Sequence, residues 1–468
     1  MPEDNSTHGK REERDSMGTV LVPADAYYGA STQRAIENFP ISDLRLPPEF
    51  NRAVARIKKA ACRVNHGLGL LDGDKAEAID LALEEVVIGR FDRWFVVDVF
   101  QTGSGTSTNM NVNEVVARRA RELMGGDANA RDLIHPNDHV NMGQSSNDVI
   151  PTALHLSSYE QILSRLIPAL AKLEKSLKKK SREFRTVVKT GRTHLQDATP
   201  VTLGQIFGGY AAQVGEALKH LKQTSRRLSN VALGGTAVGT GLNAHPKFAG
   251  DVCKLLSKDF GFPVREARNH FRAQSSIDDV VAVSGALRVV AVALMKIADD
   301  VRWMGSGPRA GFGEINIPEV QPGSSIMPGK VNPVIAESLR QVVVQVVSND
   351  AAIAFAGQSE NFELSVMLPV VAYNFLQSIA ILANASNNFA TRCIDGITAT
   401  SRGPELVEKG LALVTALVPE IGYDESARIA KIAAKTGETV FVVALRETKI
   451  PEARLKKLLN PLKLTRRG

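Results

Sequence analysis

The sequence predicts an all-α fold built on a bundle of long helices. Apolar residues at Leu156, Tyr159, Leu163, Leu166, Leu170, Leu173 and Leu177 recur by threes and fours, which lays one stripe along a helix. The same rhythm returns at Val280, Val283, Leu287, Val290, Leu294, Ile297 and Val301. Aromatic residues make up only 5% of the chain while Ala, Val and Leu abound, a mix suited to helix-on-helix packing.

Residues 1–16 are polar and are expected to be loosely attached. From Met17 to Ile150 short helical segments alternate with Gly- and Asn-rich loops. Ala53–Leu71 and Lys75–Phe91 read as two helices broken at Leu71-Asp72-Gly73. The long helix expected to start near Pro151 should be kinked by Pro168, whose ring nitrogen has no proton to donate. Further helical patterns cover about 203–228, 334–355 and 366–388. Val289–Leu294 and Val342–Val347 are apolar on more than one face, which calls for neighbours on every side and points to subunit assembly. After Cys393 a turn-like stretch, Thr398–Arg402, leads to shorter helices at Pro404–Leu417 and Ser426–Thr436. The expected division is a mixed helical domain over 1–144, a long-helix domain over 145–395 and a small helical domain over 396–468.

Composition excludes several classes. The 468 residues carry 57 Lys+Arg against 50 Asp+Glu, a net charge of +7 without a dense basic stripe, so nucleic acid is not an expected partner. Cys62, Cys253 and Cys393 lie far apart with no C-x-x-C pair, which argues against a disulfide framework or structural zinc. The N-terminus resembles neither a secretory signal nor a transit peptide. No uninterrupted apolar run approaches membrane-spanning length, so a cytoplasmic protein without a membrane partner is expected.

Four polar clusters carry candidate chemistry. Gly323–Pro333, GSSIMPGKVNP, combines Ser324, Lys330 and Asn332 on a flexible backbone able to aim N–H groups at an anion. Most Gly/Pro clusters are surface turns, but a turn has no need of this set of hydroxyl, cation and amide. Asp98–Glu114 holds Ser104 and Thr106 in a Gly-Ser-Gly-Thr turn leading to a helix, a reasonable anion site. His135–Asp148 holds His135, Asn137, Asp138, His139 and the triplet Ser145, Ser146, Asn147, whose bland role is helix capping. Two histidines four apart can hold a metal on a helix; Pro136 and Asn137 argue against that helix, and no metal is expected. Thr190–Leu203 places Thr193 and His194 among Arg192, Gln196 and Asp197. Nucleotide and serine-hydrolase motifs are absent, and no cofactor is expected.

The run GSSIMPGKVNP, together with DVFQTGSGTS, HPNDH, QSSND and GRTHLQDATP, closely resembles the fumarase/aspartase superfamily, in the variant shared by class II fumarases and aspartate ammonia-lyases. The resemblance runs from about Val22 to the C-terminal domain. It implies a three-domain all-helical fold and a homotetramer whose subunits pool their central helices, each active site being shared among three subunits. It implies a small dicarboxylate as substrate. Ser324 matches the catalytic serine that removes a proton next to a carboxylate. Lys330 and Asn332 match the binders of that carboxylate as it becomes an aci-dianion. His194, with Thr193, matches the position at the other end of the substrate, where Glu337 pairs with the histidine. Ser104, Thr106, Ser145, Ser146 and Asn147 match substrate-binding positions. His135, Asn137, Asp138 and His139 match a secondary dicarboxylate site.

The two activities share a carbanion and differ in the leaving group, water or ammonia. Thr102, Ser104, the Ser145–Asn147 triplet and His139 are fumarase-like. Ala26–Gly29 and Ile36–Ser42 are aspartase-like, and Met142-Gly143 departs from the Lys-Ser common to both. The substrate-contacting differences favour reversible hydration of fumarate to L-malate, with aspartate ammonia-lyase as the alternative. A catalytically silent relative is the third reading, against which the intact Ser324, Lys330, Asn332 and His194 stand.

Overall fold

The computed structural model describes residues 9–127 and 130–466. The chain is 63% helical, with a few short strands. It forms two compact units. One takes the residues up to Leu166 with Leu221–Arg288 and Gln345–Ile381; the other takes Ile167–His220, Val289–Val344 and the chain from Leu382 on.

The first unit opens with an antiparallel hairpin, β1 (Lys10–Asp15) and β2 (Gly18–Pro23). This corrects the expectation of a loosely attached N-terminus for residues 10–15; residues 1–8 lie outside the described residues. The polar sequence hides the anchor: the Arg11 guanidinium donates to the carbonyls of Pro23, Ala26 and Tyr28. Next come α1 (Ala30–Asn38), α2 (Pro48–Gly67), α3 (Gly73–Val87) and α4 (Thr106–Leu123). Proline sits at the first position of α2, where its missing N–H costs nothing. Asp72 caps α3, accepting from Asp74 and Lys75 N–H, so the expected break falls where the sequence put it.

α5 (Ser146–Gln161) begins five residues before Pro151, because Ser145 and Asp148 close a capping box. The expected kink takes the form of a π turn, Ile162–Leu166, ahead of α6 (Ile167–Glu183). The Pro168 ring crowds the carbonyl four residues earlier and cannot bond it, and a wider turn relieves both problems.

β3 (Val188–Thr193) and β4 (Gln196–Thr202) make an antiparallel hairpin ahead of α7 (Leu203–Thr224). Two-residue strands β5 (Asn230–Val231) and β6 (Arg265–Glu266) pair in parallel around α8 (Phe248–Phe260). α9 (His270–Ser275) precedes α10 (Asp278–Met304), and β7 (Ile315–Asn316) leads towards the long helices α11 (Val334–Gln358) and α12 (Leu368–Arg392). β8 (Thr398–Ala399) pairs antiparallel with β7, so the stretch read as a turn is in part a strand.

α10 and α12 are long and apolar enough to cross a membrane by length and composition, which corrects the reading that no run approaches that length. In each, 56% of the most apolar window is buried within the chain, as in the core helix of a bundle.

The remaining helices are α13 (Arg402–Lys409), α14 (Val418–Ile421), α15 (Tyr423–Thr436), α16 (Val440–Glu447), α17 (Glu452–Leu458) and α18 (Pro461–Leu464). They close over a small core of their own that includes Leu417, Ile429, Val443 and Leu455, all fully buried.

Candidate active site

In the first unit, two helix N-termini meet at one hydroxyl chain. Gly105 precedes α4 with φ +75°, and a Cβ there would lie 2.8 Å from Ile150, so only glycine fits. It directs Thr106 so that its Oγ1 lies 2.9 Å from Ser104 Oγ and 2.7 Å from Ser146 Oγ on the first turn of α5. Ser145 caps α5, accepting from Asn147 N–H at 3.2 Å, and Asn147 donates its amide to Ala237 O at 2.8 Å. All five predicted residues of this half therefore gather at the positive ends of α4 and α5, an arrangement that favours a carboxylate.

Asp148 sits beneath, fully buried. It accepts from Ser145, Gly234 and Thr236 N–H. Burial pushes its carboxyl up to about 6, against the opposing pull of those bonds and of Lys58.

The His135–His139 segment forms a π turn, Pro136–Val140, so the two histidines are not held on a regular helix. His135 Nδ1 accepts from Asn137 and Asp138 N–H at 3.3 and 3.2 Å, and His139 Nδ1 accepts from His135 N–H at 2.7 Å. Arg131 approaches His135 Nε2 at 3.3 Å and Lys75 approaches His139 Nε2 at 3.1 Å. Burial, and for His139 the Lys75 charge, lower both imidazole pKa values.

The second unit carries the other predicted groups. Thr193 and Gln196 are the last pair of the β3–β4 hairpin, and His194 and Leu195 form its two-residue tip. Both tip residues are left-handed, at φ +55° and +59°. Such mirror-image turns normally hold Asn-Gly; for other residues the conformation costs roughly 1–2 kcal/mol each. The hairpin holds this strained, exposed histidine by a buried ion cluster, in which Arg192 and Lys189 meet Glu314. Its flank lines a cavity of about 400 Å³ with Tyr210, Trp303 and Phe312.

In the signature loop, Ser324 Oγ accepts two main-chain hydrogen bonds, from Ile326 N–H at 3.2 Å and Met327 N–H at 3.0 Å. Asn332 donates its amide to Gly323 O at 2.5 Å and closes the loop. Gly323 permits this closure, since a Cβ there would lie 2.1 Å from Lys330 O. Lys330 is exposed and Glu337 half-buried on the first turn of α11. Among the described residues, no hydrogen bond or ion pair joins His194 to Glu337 within one chain.

Comparison with known proteins identifies the family. A protein-family profile described as lyase matches residues 18–348, and one described as the fumarase C C-terminus matches residues 413–466. The class II fumarate hydratase of Nitrosomonas europaea is 50% identical over 456 residues, covering 97% of this chain and 99% of its own. That of Halobacterium salinarum is 52% identical over 459 residues, covering 98% and 97%. The chain belongs to the class II fumarase family. Among solved structures, a recombinant class II fumarase from Schistosoma mansoni superimposes with a TM-score of 0.94 at 37% identity, covering 98% of this chain and 99% of that one. A fumarate lyase:delta crystallin from Brucella melitensis gives 0.94 at 44% identity, covering 98% and 100%.

Within this fumarase-family chain, the sequence reading passed over the groups that support the clusters. Glu314 lies in an unremarked loop, and its partners come from a hairpin that was not expected. Lys58, Asn141 and Gln144 were missed as well. One signal was available for Lys58: it falls in phase with Val54, Ala61 and Asn65 on the buried stripe of α2, where a lysine has no bland place.

Proposed function

We infer that the protein is a fumarate hydratase, a lyase that interconverts fumarate and L-malate through a carbanion stabilised as an aci-carboxylate. The observation that carries the mechanism is the pair of main-chain N–H groups aimed at Ser324 Oγ. A serine hydroxyl is too weak a base in water to take a proton next to a carboxylate. Two amide donors and the cation of Lys330 favour the alkoxide, which makes the proton transfer feasible.

In this reading Ser324 removes the proton. Lys330 and Asn332 take the carboxylate that gains charge, Asn332 exchanging its bond to Gly323 O for one to the substrate. Ser104, Thr106, Ser145, Ser146 and Asn147 bind dicarboxylate oxygens through the hydroxyl chain and the two helix N-termini. His194, beside Thr193, acts at the hydroxyl end and is polarised by Glu337 of another subunit. His135, Asn137, Asp138 and His139 form a secondary dicarboxylate site.

Assembly belongs to the same proposal: a homotetramer in the cytoplasm, with each site drawn from three subunits. Support comes from apolar side chains left exposed on long helices, Val292 at 57% on α10 and Val344 at 60% and Phe355 at 70% on α11. Further copies of the chain would bury them. The division into domains at 144/145 and 395/396 is part of the proposal, supported by the Ser145 cap and by the separate core of the last helices.

The test is absorbance in the fumarate band with purified protein, given L-malate and L-aspartate in parallel. A rise with L-malate and none with L-aspartate is expected; the reverse, with ammonia released, overturns the hydratase reading. Ser324→Ala should lower kcat by about 10²–10⁴, the range for a positioned base, and unchanged turnover removes Ser324 from that role.

A further inference from the structure

The candidate binding cluster on α4 and α5 contains no charge of its own. Ser104, Thr106, Ser145, Ser146 and Asn147 are all neutral, yet the ligand they would hold is a dianion. A cation is built into their support: Lys58 on α2, completely buried at 0% exposure. Its Nζ donates to Asn141 Oδ1 at 2.9 Å and Gln144 Oε1 at 3.3 Å. Among the described residues, no carboxylate lies within ion-pair distance of it.

Those acceptors lead to both halves of the cluster. Asn141 Oδ1 also accepts from Asn109 at 3.2 Å, one turn along α4 from Thr106. Asn141 donates its amide to Gln144 O at 3.1 Å, and Gln144, next to the α5 cap Ser145, donates to Val140 O and Met142 O at 3.2 Å. Asn65, two turns along α2 from Lys58, holds Met142 O at 2.9 Å. The loop 140–145 is thus hung from α2, and Lys58 is where its two strings join.

We propose that Lys58 is a positioning residue for dicarboxylate binding: it fixes loop 140–145 beneath Thr106 and Ser145–Asn147 and adds a full positive charge to the helix N-termini on which those neutral donors sit. A fully buried ammonium resting on amide oxygens is an expensive feature for stability alone, since an uncharged residue would fill the same space without the desolvation cost. Burial brings its amine down to about 7, with Asp148 pulling the other way, so an arriving dianion favours the charged form.

This inference rests on the dicarboxylate reading, and the test separates the two. Succinate, an unreactive dicarboxylate, is titrated calorimetrically into the full-length protein and into Lys58→Met, with KM and kcat for L-malate measured alongside. The expected result is a rise of about tenfold or more in succinate Kd and in KM, with kcat within about threefold. Absence of L-malate turnover in the wild type counts against the hydratase reading and leaves the succinate comparison valid. A folded Lys58→Met with unchanged succinate Kd overturns the proposal, as does a fall in kcat equal to the rise in KM. Gln144→Glu is the second variant: it leaves Lys58 in place, gives it a carboxylate partner and should weaken succinate in the same direction. Failure of both variants to fold marks Lys58 as purely structural and overturns the assignment.

Discussion

Arg192 and Glu314 form an ion pair one register step behind the hairpin tip that carries His194: Arg192 Nη1 donates to Glu314 Oε2 at 3.0 Å, and Nη2 lies 3.0 Å from Oε1. Glu314 is fully buried, Lys189 reaches the same carboxylate at 3.5 Å, and the Arg192 guanidinium lies 4.1 Å from the Phe312 ring. Removing the shared anion leaves two cations in a dry place. Glu314→Ala should therefore cost about 3–5 kcal/mol, as when one partner of a buried pair is lost. Urea unfolding of the variant checks this, and a loss below 1 kcal/mol would contradict the clamp.

The hairpin tip predicts the opposite sign. Leu195 sits at φ +59° and glycine carries no penalty there. Leu195→Gly should gain about 0.5–1 kcal/mol, the relieved strain less the extra freedom of the unfolded chain. A lower midpoint in thermal unfolding would show that the leucine side chain has a packing role that outweighs the strain.

Asp148 gives a pH dependence. Its carboxyl titrates near 3.8 when unfolded and is pushed up to about 6 in the folded chain. Between those values the folded state keeps a proton that the unfolded state has released. Its contribution is fully present below about pH 4 and is lost as pH rises through 6, a change of about 3 kcal/mol. The difference in unfolding free energy between wild type and Asp148→Asn should therefore vary across pH 4–6 and be flat above it. A flat difference throughout would show that the bonds from Gly234, Thr236 and Ser145 cancel the burial.

Cys62, Cys253 and Cys393 are all buried, and burial pushes each thiol up to about 12. A chromogenic disulfide reagent at pH 8 should label none of them in the native protein and all three in denaturant. Rapid native labelling of any one would reveal local opening of its helix.

The long helices were legible because their apolar period runs uninterrupted for many turns, as at Val280–Val301. The Ser145 cap and the break at Asp72 were legible because capping depends on residues adjacent in sequence. The β3–β4 hairpin was not legible: its tip is His-Leu where the usual signal is Asn-Gly, and Glu314, the partner of Arg192, lies 122 residues further on. The N-terminal hairpin was lost for a similar reason, since its order rests on Arg11 bonding to carbonyls, which no side-chain pattern reveals. At the candidate site, most residues of the dense polar clusters were found; Lys58, acting from apolar surroundings, and the Asn141 and Gln144 amides it holds were not.

Both donors to Ser324 belong to the peptide backbone. Their aim is written in the path of the loop, and replacing the Ile326 or Met327 side chain leaves each N–H where it is. A side-chain scan across those two positions would pass over the contact as though it did not exist. Proline, the one residue without that proton, would delete it while leaving the serine untouched. The chemistry of this hydroxyl is therefore inherited as shape, and sequence divergence among the loop's outward side chains says nothing about whether it has been kept.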